Sequence, residues 1–491
     1  AGLAFDPAAI SGCTALEVLN LPARLNKITD EAAAFSKLQT LKEINVIGEC
    51  DGQVYSSLTE NDGKYAKGIL TNAAGDEIVY CPLKKEFASY KEGENTIYEF
   101  DVPNNVTKIA ANAFNMNKGL SDKDRVYYSL NEINFHSGMV SIGEKAFYNL
   151  RYLRKVTFGT ADDPLGLKIG DSAFEGCTYI RELDFGEEAN KVSCVKEIGN
   201  RTFCGIYLES LVLPGSIEKI GNSAFEACVY LSELDLSKIS STLEFGEYAF
   251  ARCNSLESVE ITDNVGPMEF SSVFYKCAKL REVKASDTNP NFESVNGVLY
   301  TKGRETIVYF PSGYAGNFTI DSATKRIGGG VFNGRENVTE ITIPASVIEI
   351  GDSAFENCDN LTKVNFLEPA DGEQADPLTI GNKAFYCCTK IEEIEFPSRT
   401  VSIGDDCFRI YGRGVYSSLR TVVFNEGLQT IGANAFNACS ELGPIVIPST
   451  VTEIGDGAFN MFKSDPVYSS KQVIVKLTSI TFAESKDGTV T

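Results

Sequence analysis

One short string recurs along the chain: Ile-Gly, two variable residues, then Ala-Phe. With one or two substitutions allowed, it ends at Phe114, Phe147, Phe174, Phe203, Phe225, Phe250, Phe274, Phe332, Phe355, Phe385, Phe408, Phe436 and Phe459. The match is close over long separations. IGDSAFEGC runs from Ile169 to Cys177, and IGDSAFENC runs from Ile350 to Cys358. An active site is not built thirteen times, whereas a structural unit is. Such a chain has to fold as a solenoid, whose core grows along one axis, so 491 residues need not divide into separate globular domains.

The unit Ile220–Ser237, IGNSAFEACVYLSELDLS, shows the physics. Its apolar set is Ile220, Ala224, Phe225, Cys228, Leu231, Leu234 and Leu236. The second half ends in alternation, which suits a short strand with one face buried. The first half places Ala224, Phe225 and Cys228 on one side of a single helical or 3₁₀ turn. The Gly, present in eleven of the thirteen copies, reads as a tight bend or a positive φ. The Asn or Asp that follows it reads as a turn or N-cap residue. The small residue before Phe reads as a place where successive coils stack closely. Segments such as LPGSIEKIG (213–221) add a Pro-marked turn and a second short extended run. The expected fold is an α/β solenoid with short parallel strands and single helical turns. Phe174, Phe225, Phe355 and Phe436, with Cys177, Cys228, Cys358 and Cys439, form its repeating core.

The pattern I-G-x-x-A-F-x-x-C-x-x-L-x-x-L-x-L-P resembles the BspA-like (Treponema-type) leucine-rich repeat family over nearly the whole chain. That resemblance implies a right-handed leucine-rich-repeat superhelix in a bacterial surface or secreted protein, with adhesion among the family's roles. It brings no catalytic residues. An extracellular or cell-surface location follows from the resemblance, with a cytoplasmic scaffold as the alternative.

The repeat breaks in two places. Phe slots are mostly 22 to 33 residues apart, but 58 separate Phe274 from Phe332. The long gap holds GVLYT, a turn at Lys302-Gly303 and TIVYFP, which read as a β-hairpin insertion at about 290–320. GILTNAAGDEIVYCP reads as a second, at 68–82. Residues 1–491 are otherwise expected to form a single solenoid. Strings near Val54, Val126, Val415 and Val467 (VYSSL and variants) read as expanded loops on one edge. The ending TFAESKDGTVT breaks off where other repeats lead into a further coil, so the natural product is expected to run longer.

Charge narrows the partners. A net charge of −22 and the absence of any basic run argue against nucleic acid, and no apolar stretch is long enough to span a membrane. Eight of the fourteen cysteines fill the slot three residues after the Phe position, where other repeats place Leu38, Leu150, Ile206 or Phe462. They therefore read as small buried hydrophobes. No CxxC pair exists and His136 is the one histidine, so neither a zinc site nor another cofactor is expected, and catalysis is not expected either.

Outward strand positions carry Glu182, Asp184, Glu233, Asp235 and Glu260, which stacking would align as columns of carboxylates; these read as a solvated acidic surface that keeps the stack soluble or, alternatively, as a face for a cation or a basic partner. Thr342, Asn365, Val423, Val446 and Thr481 interrupt such columns. Tyr300, Tyr309 and Tyr314 in the second hairpin are further candidates if they face solvent. Two function classes lead: a recognition module binding a protein or glycan ligand, and a structural spacer with no ligand of its own.

Overall fold

The computed structural model describes residues 3–29, 35, 37–59, 62, 66–82, 84–115, 129–162, 165–186, 191–266, 270–370, 376–412, 416–461 and 476–484. They sort into two compact units, Ala1–Leu256 with two short later segments, and Lys276–Thr491 with Glu257–Asp263 and Glu269–Ser271. Each unit is a stack of coils.

Both units contain a nine-stranded sheet of the same design. It begins with a three-stranded antiparallel meander: Tyr55–Ser57, Leu70–Asn72 and Glu77–Tyr80 in the first unit, and Phe292–Val295, Val298–Thr301 and Thr306–Tyr309 in the second. The last meander strand then pairs in parallel with the second run of the next coil, Glu77 with Lys108 and Thr306 with Arg326. Five further short runs follow in parallel, ending at Glu244–Phe245 and at Glu453–Ile454. Both expected hairpins are therefore present, each widened by a third strand.

Each meander joins the preceding coil in the same way. Ile44 N donates to Gly68 O (2.9 Å), and Val283 N donates to Gly297 O (3.0 Å). Gly68 and Gly297 have φ of +77° and +82°. A Cβ on Gly68 would lie 2.6 Å from the Glu43 Cβ, and one on Gly297 would lie 2.7 Å from the Arg281 carbonyl oxygen. Only glycine meets both demands.

The principal strands form shorter sheets. In the first unit Glu182–Asp184, Lys155–Thr157, Glu132–Asn134, Asn95–Asp101 and Ala88–Glu92 make one of five strands, and Ser210–Val212 pairs with Glu233–Asp235. In the second unit Gly316–Thr319, Val338–Ile343 and Lys363–Phe366 make one of three, and Glu393–Glu395 pairs with Thr421–Val423.

The Phe-bearing segments are not helical turns. Ser172 (φ 55°) and Gly176 (φ 81°) are left-handed, as are Ser223 and Ala227, Ser353 and Asn357, and Asn434 and Ala438. A helix cannot pass through such residues. Instead, successive turns alternate their donors. Ala173 N, Glu175 N and Cys177 N bond three residues back in the same coil, while Ser172 N and Phe174 N reach Asn200 O and Thr202 O of the next coil (2.7 and 3.1 Å). The helical segments described in full are Pro7–Ile10 and Phe270–Val273, each of four residues.

The expected roles of Gly and Asx are corrected in the same way. The repeat glycines are not left-handed. A Cβ on them would meet the backbone of the previous coil, at 2.9 Å for Gly170 against Glu144 N and 2.3 Å for Gly455 against Ala433 N. They are glycines because coils approach closely there. The Asx after each Gly caps the next coil and not its own segment. Asp171 Oδ1 accepts from Asn200 N (2.8 Å), Asn200 Oδ1 from Asn222 N (2.7 Å), and Asn222 Oδ1 from Glu247 N (3.0 Å).

The core is an aromatic stack. In the first unit Phe114, Phe147, Phe174, Phe203, Phe225 and Phe250 follow at centroid distances of 4.7, 5.0, 5.2, 5.4 and 5.1 Å. In the second, Phe332, Phe355, Phe385, Phe408, Phe436 and Phe459 follow at 4.6, 5.0, 5.0, 5.3 and 5.5 Å.

The cysteine slot holds a donor as well as a hydrophobe. Cys177 Sγ donates to Phe147 O (3.0 Å), Cys228 Sγ to Phe203 O (3.4 Å), Cys358 Sγ to Phe332 O (3.0 Å) and Cys439 Sγ to Phe408 O (3.3 Å). Arg335 occupies the same slot and makes the same bond, Nε to Phe310 O at 2.8 Å, with its guanidinium over the Tyr309 ring.

Candidate functional site

The outward face of the principal strands carries the candidate carboxylates, and pairing register decides what they face. Glu132 lies opposite Glu99 on one side and Lys155 on the other, and Lys155 lies opposite Glu182. Lys155 Nζ sits 2.5 Å from Glu182 Oε1. Glu132 is buried, where it accepts from Arg154 Nη2 (2.7 Å) and from the Tyr90 hydroxyl (3.0 Å). Burial, and then Asp101 and Glu132, push the Glu99 carboxyl above its ordinary value. Glu260 lies opposite Lys284, and Glu340 opposite Lys363. The expected columns of carboxylates are therefore broken, by Lys155, Lys284 and Lys363 and by uncharged partners: Glu233 lies opposite Ser210, Asp235 opposite Val212 and Glu395 opposite Val423. Among the described residues, no group of three or more His, Cys, Asp or Glu side chains is placed to hold a metal ion.

The predicted residues fall into separate places. Glu182 and Asp184 line a cleft of about 310 Å³ with Arg181, Ser210 and Lys238, where strand pairing lapses between Glu182–Asp184 and Ser210–Val212. Glu260 lines a second cleft of about 390 Å³ with Glu282, Lys284 and Asp287. Glu233 is exposed, and Asp235 Oδ1 accepts from Ser237 N at 2.8 Å. A third cleft, of about 580 Å³ and not foreseen, opens between Lys363–Phe366 and Glu393–Glu395, with Leu367, Glu368 and Val423 on its walls.

The hairpin tyrosines require a correction. Tyr300 and Tyr309 are buried: the middle meander strand is covered on both faces, and Tyr309 shares the inward face of the last strand with Ile307. Burial raises both hydroxyls, Tyr300 to about 12. Tyr314 is half-buried and donates to Asn317 O at 2.9 Å. His136 bridges turns, with Nε2 2.8 Å from Val106 O and Nδ1 accepting from Gly138 N. Of the proposed edge loops, Val126, Val415 and Val467 lie outside the described residues.

A set of exposed aromatics emerges that the sequence reading missed. Tyr152, Tyr179, Tyr207 and Tyr230 lie in successive coils, each immediately before the buried Leu or Ile that leads into a principal strand. They are 57, 51, 37 and 51 % exposed. The rings of Tyr179 and Tyr207 are 5.7 Å apart, and those of Tyr207 and Tyr230 are 5.0 Å apart. Their constant offset from the next apolar residue was the available signal.

Comparison with known proteins gives the same architecture. The family model described as BspA type leucine rich repeat region matches residues 88–193, 168–296, 309–410 and 378–487. No curated protein matches the sequence. A leucine rich cell surface protein from Faecalibacterium prausnitzii is similar in structure, with 20 % identity, a TM-score of 0.50, and 90 % of this chain and 96 % of that one covered. The pneumococcal vaccine antigen PcpA is similar at 18 % identity and a TM-score of 0.50, over 90 % of this chain and 100 % of that one. At such identities these likenesses speak for the fold. The family match spans most of the chain, and its repeat is the one whose Phe, Cys, Gly and Asx ladders hold these coils together: the chain belongs to the BspA-type leucine-rich repeat family.

Proposed function

We propose that the chain is a non-catalytic recognition module at the cell surface, binding a protein or glycan over the outward face of its principal strands. The observation that carries this reading is the set of clefts on that face, two of them where strand pairing lapses, lined by side chains of both signs. Mixed charge in a shallow cleft suits specific polar recognition of a macromolecule. A surface location agrees with that of the similar Faecalibacterium protein, a leucine rich cell surface protein. It also agrees with the thiols. Of the eight cysteines in the slot, seven are buried and Cys13 is exposed. Burial raises Cys177 and Cys439 in the slot, the latter to about 12, and Cys407 beside Phe408, so these thiols stay protonated and unreactive outside a cell.

The test is a binding array of extracellular proteins and of neutral and charged glycans, probed with the purified chain at low and high salt. A saturable ligand that survives moderate salt and is lost on Asp184→Lys or Glu395→Lys supports the reading. Binding that disappears with salt alone, or no binding at all, sinks it. The burial of Tyr300 and Tyr309 favours the second reading, a structural spacer, because the meander turns its aromatics inward to join coils.

A further inference from the structure

We propose that the tyrosine strip of the first unit, centred on Tyr179, Tyr207 and Tyr230 with Tyr152 beside them, binds a proline-rich segment in the polyproline II conformation; this rests on the recognition reading and assigns it a ligand class. The aromatic character is not a demand of the fold. The same repeat position is Ser255, Lys279, Asn337, Asn360, Lys390 and Glu441 in other coils, so the stack forms with polar residues there. Nor do the rings serve the core, which Leu153, Ile180, Leu208 and Leu231 fill from the next position. Aromatic surface held out in successive coils is the composition of a binding surface.

Its geometry selects among ligands. The rings meet tilted by 42° and then edge to face at 68°, which makes a ridge with notches. A flat platform for stacking sugar rings would need parallel, outward faces. Two steps of the ladder come to at most about 11 Å, near the ~9 Å advance of one three-residue turn of polyproline II. Prolines three residues apart therefore reach every second ring. The carbonyls of such a helix make no internal hydrogen bonds, and tyrosine hydroxyls donate to them.

The surface is also preorganised. Tyr207 N donates to Thr178 O (3.1 Å), and the residues after Tyr179 and Tyr230 donate within their own turns, Ile180 N to Cys177 O (3.1 Å) and Leu231 N to Cys228 O (3.0 Å). A ligand that is itself preformed loses little freedom on such a shallow site. The net charge of −22 favours a neutral or basic segment and disfavours sulfated or sialylated chains.

The experiment uses the full chain and fluorescein-labelled decaproline, with and without two flanking lysines, read by anisotropy. Cellohexaose is the glycan arm, read by tyrosine fluorescence, since the chain has no Trp. Saturable binding of decaproline, weakened about tenfold or more by Tyr207→Ala and unchanged by Tyr411→Ala, an exposed tyrosine of the second unit, is expected. Equal melting temperatures show that the variants are folded. Three results overturn the proposal: no saturation with either peptide, equal binding by Tyr207→Ala, or Tyr207-dependent binding of cellohexaose alone. A ligand found on the array and retained by Tyr207→Ala would remove this proposal and leave the recognition reading standing.

Discussion

Two residues of the repeat, two apart, obey opposite rules. At Gly221 a Cβ would lie 2.6 Å from Asn200 N, backbone that cannot yield, so Gly221→Ala is expected to destabilise by about 1–3 kcal/mol. At Ser223 the backbone is left-handed (φ 55°), so Ser223→Gly is expected to be neutral or to stabilise by up to about 1 kcal/mol. Denaturant midpoints at constant m-value measure both, and a stabilising Gly221→Ala would refute the close-stacking account. The sequence marked the Gly as special, but a glycine needed for space and one needed for its φ look alike in a string of letters. The donor role of the cysteine slot was hidden for a related reason. Leu and Ile share the slot, so its apolar character is what repetition displays, and the bond to the preceding Phe carbonyl becomes visible only once coils are stacked.

Buried thiols, inside the slot and outside it, also set an alkaline limit. Burial raises Cys194 and Cys204 to about 11 and Cys439 to about 12. An unfolded thiol ionises near 8.5, so the stability held by the buried neutral form is whole below that pH and is lost as pH rises through the folded values. The unfolding midpoint should fall between pH 8 and pH 11, and a flat profile would contradict it. In native protein at pH 8 a thiol reagent should label the exposed Cys13 and Cys50, and the seven buried slot cysteines only after unfolding.

Among elements, the Phe ladder is the one most plainly written. Phe225 stacks between Phe203 and Phe250 and is fully buried, so Phe225→Ala is expected to destabilise by about 3–5 kcal/mol in equilibrium unfolding. Thirteen copies made that role legible. The helical turn around it was misread because Ala224, Phe225 and Cys228 share a side equally well when two successive turns are joined by left-handed residues at Ser223 and Ala227. The hairpins were legible from their turn signals at Gly75-Asp76 and Lys302-Gly303. The direction of Tyr300 and Tyr309 was not. Val298, Leu299 and Tyr300 form a continuous apolar run, the mark of a strand covered on both faces, and that cue outweighs the presence of aromatics in an insertion.

For the molecule as a whole, register was the missing information. A list of outward carboxylates omits which residue the next coil places beside each one, and Lys155, Lys284 and Lys363, with uncharged partners such as Ser210 and Val423, break the columns of one sign. The two units repeat one plan of meander and parallel runs, each with its own aromatic stack, and most bonds join neighbouring coils. Calorimetric unfolding should therefore give an enthalpy larger than the van't Hoff value, as for an array of coupled repeats, and equality would show one transition across both units. Within a unit, hydrogen bonds running from coil to coil couple the coils in series. A pull along the stack loads every interface alike, and the least bonded yields first. The lapses beside Glu182–Asp184 and Lys363–Phe366 each lack one strand ladder, so a ligand seated in either cleft would act as a rivet across a seam where a stretched unit can open.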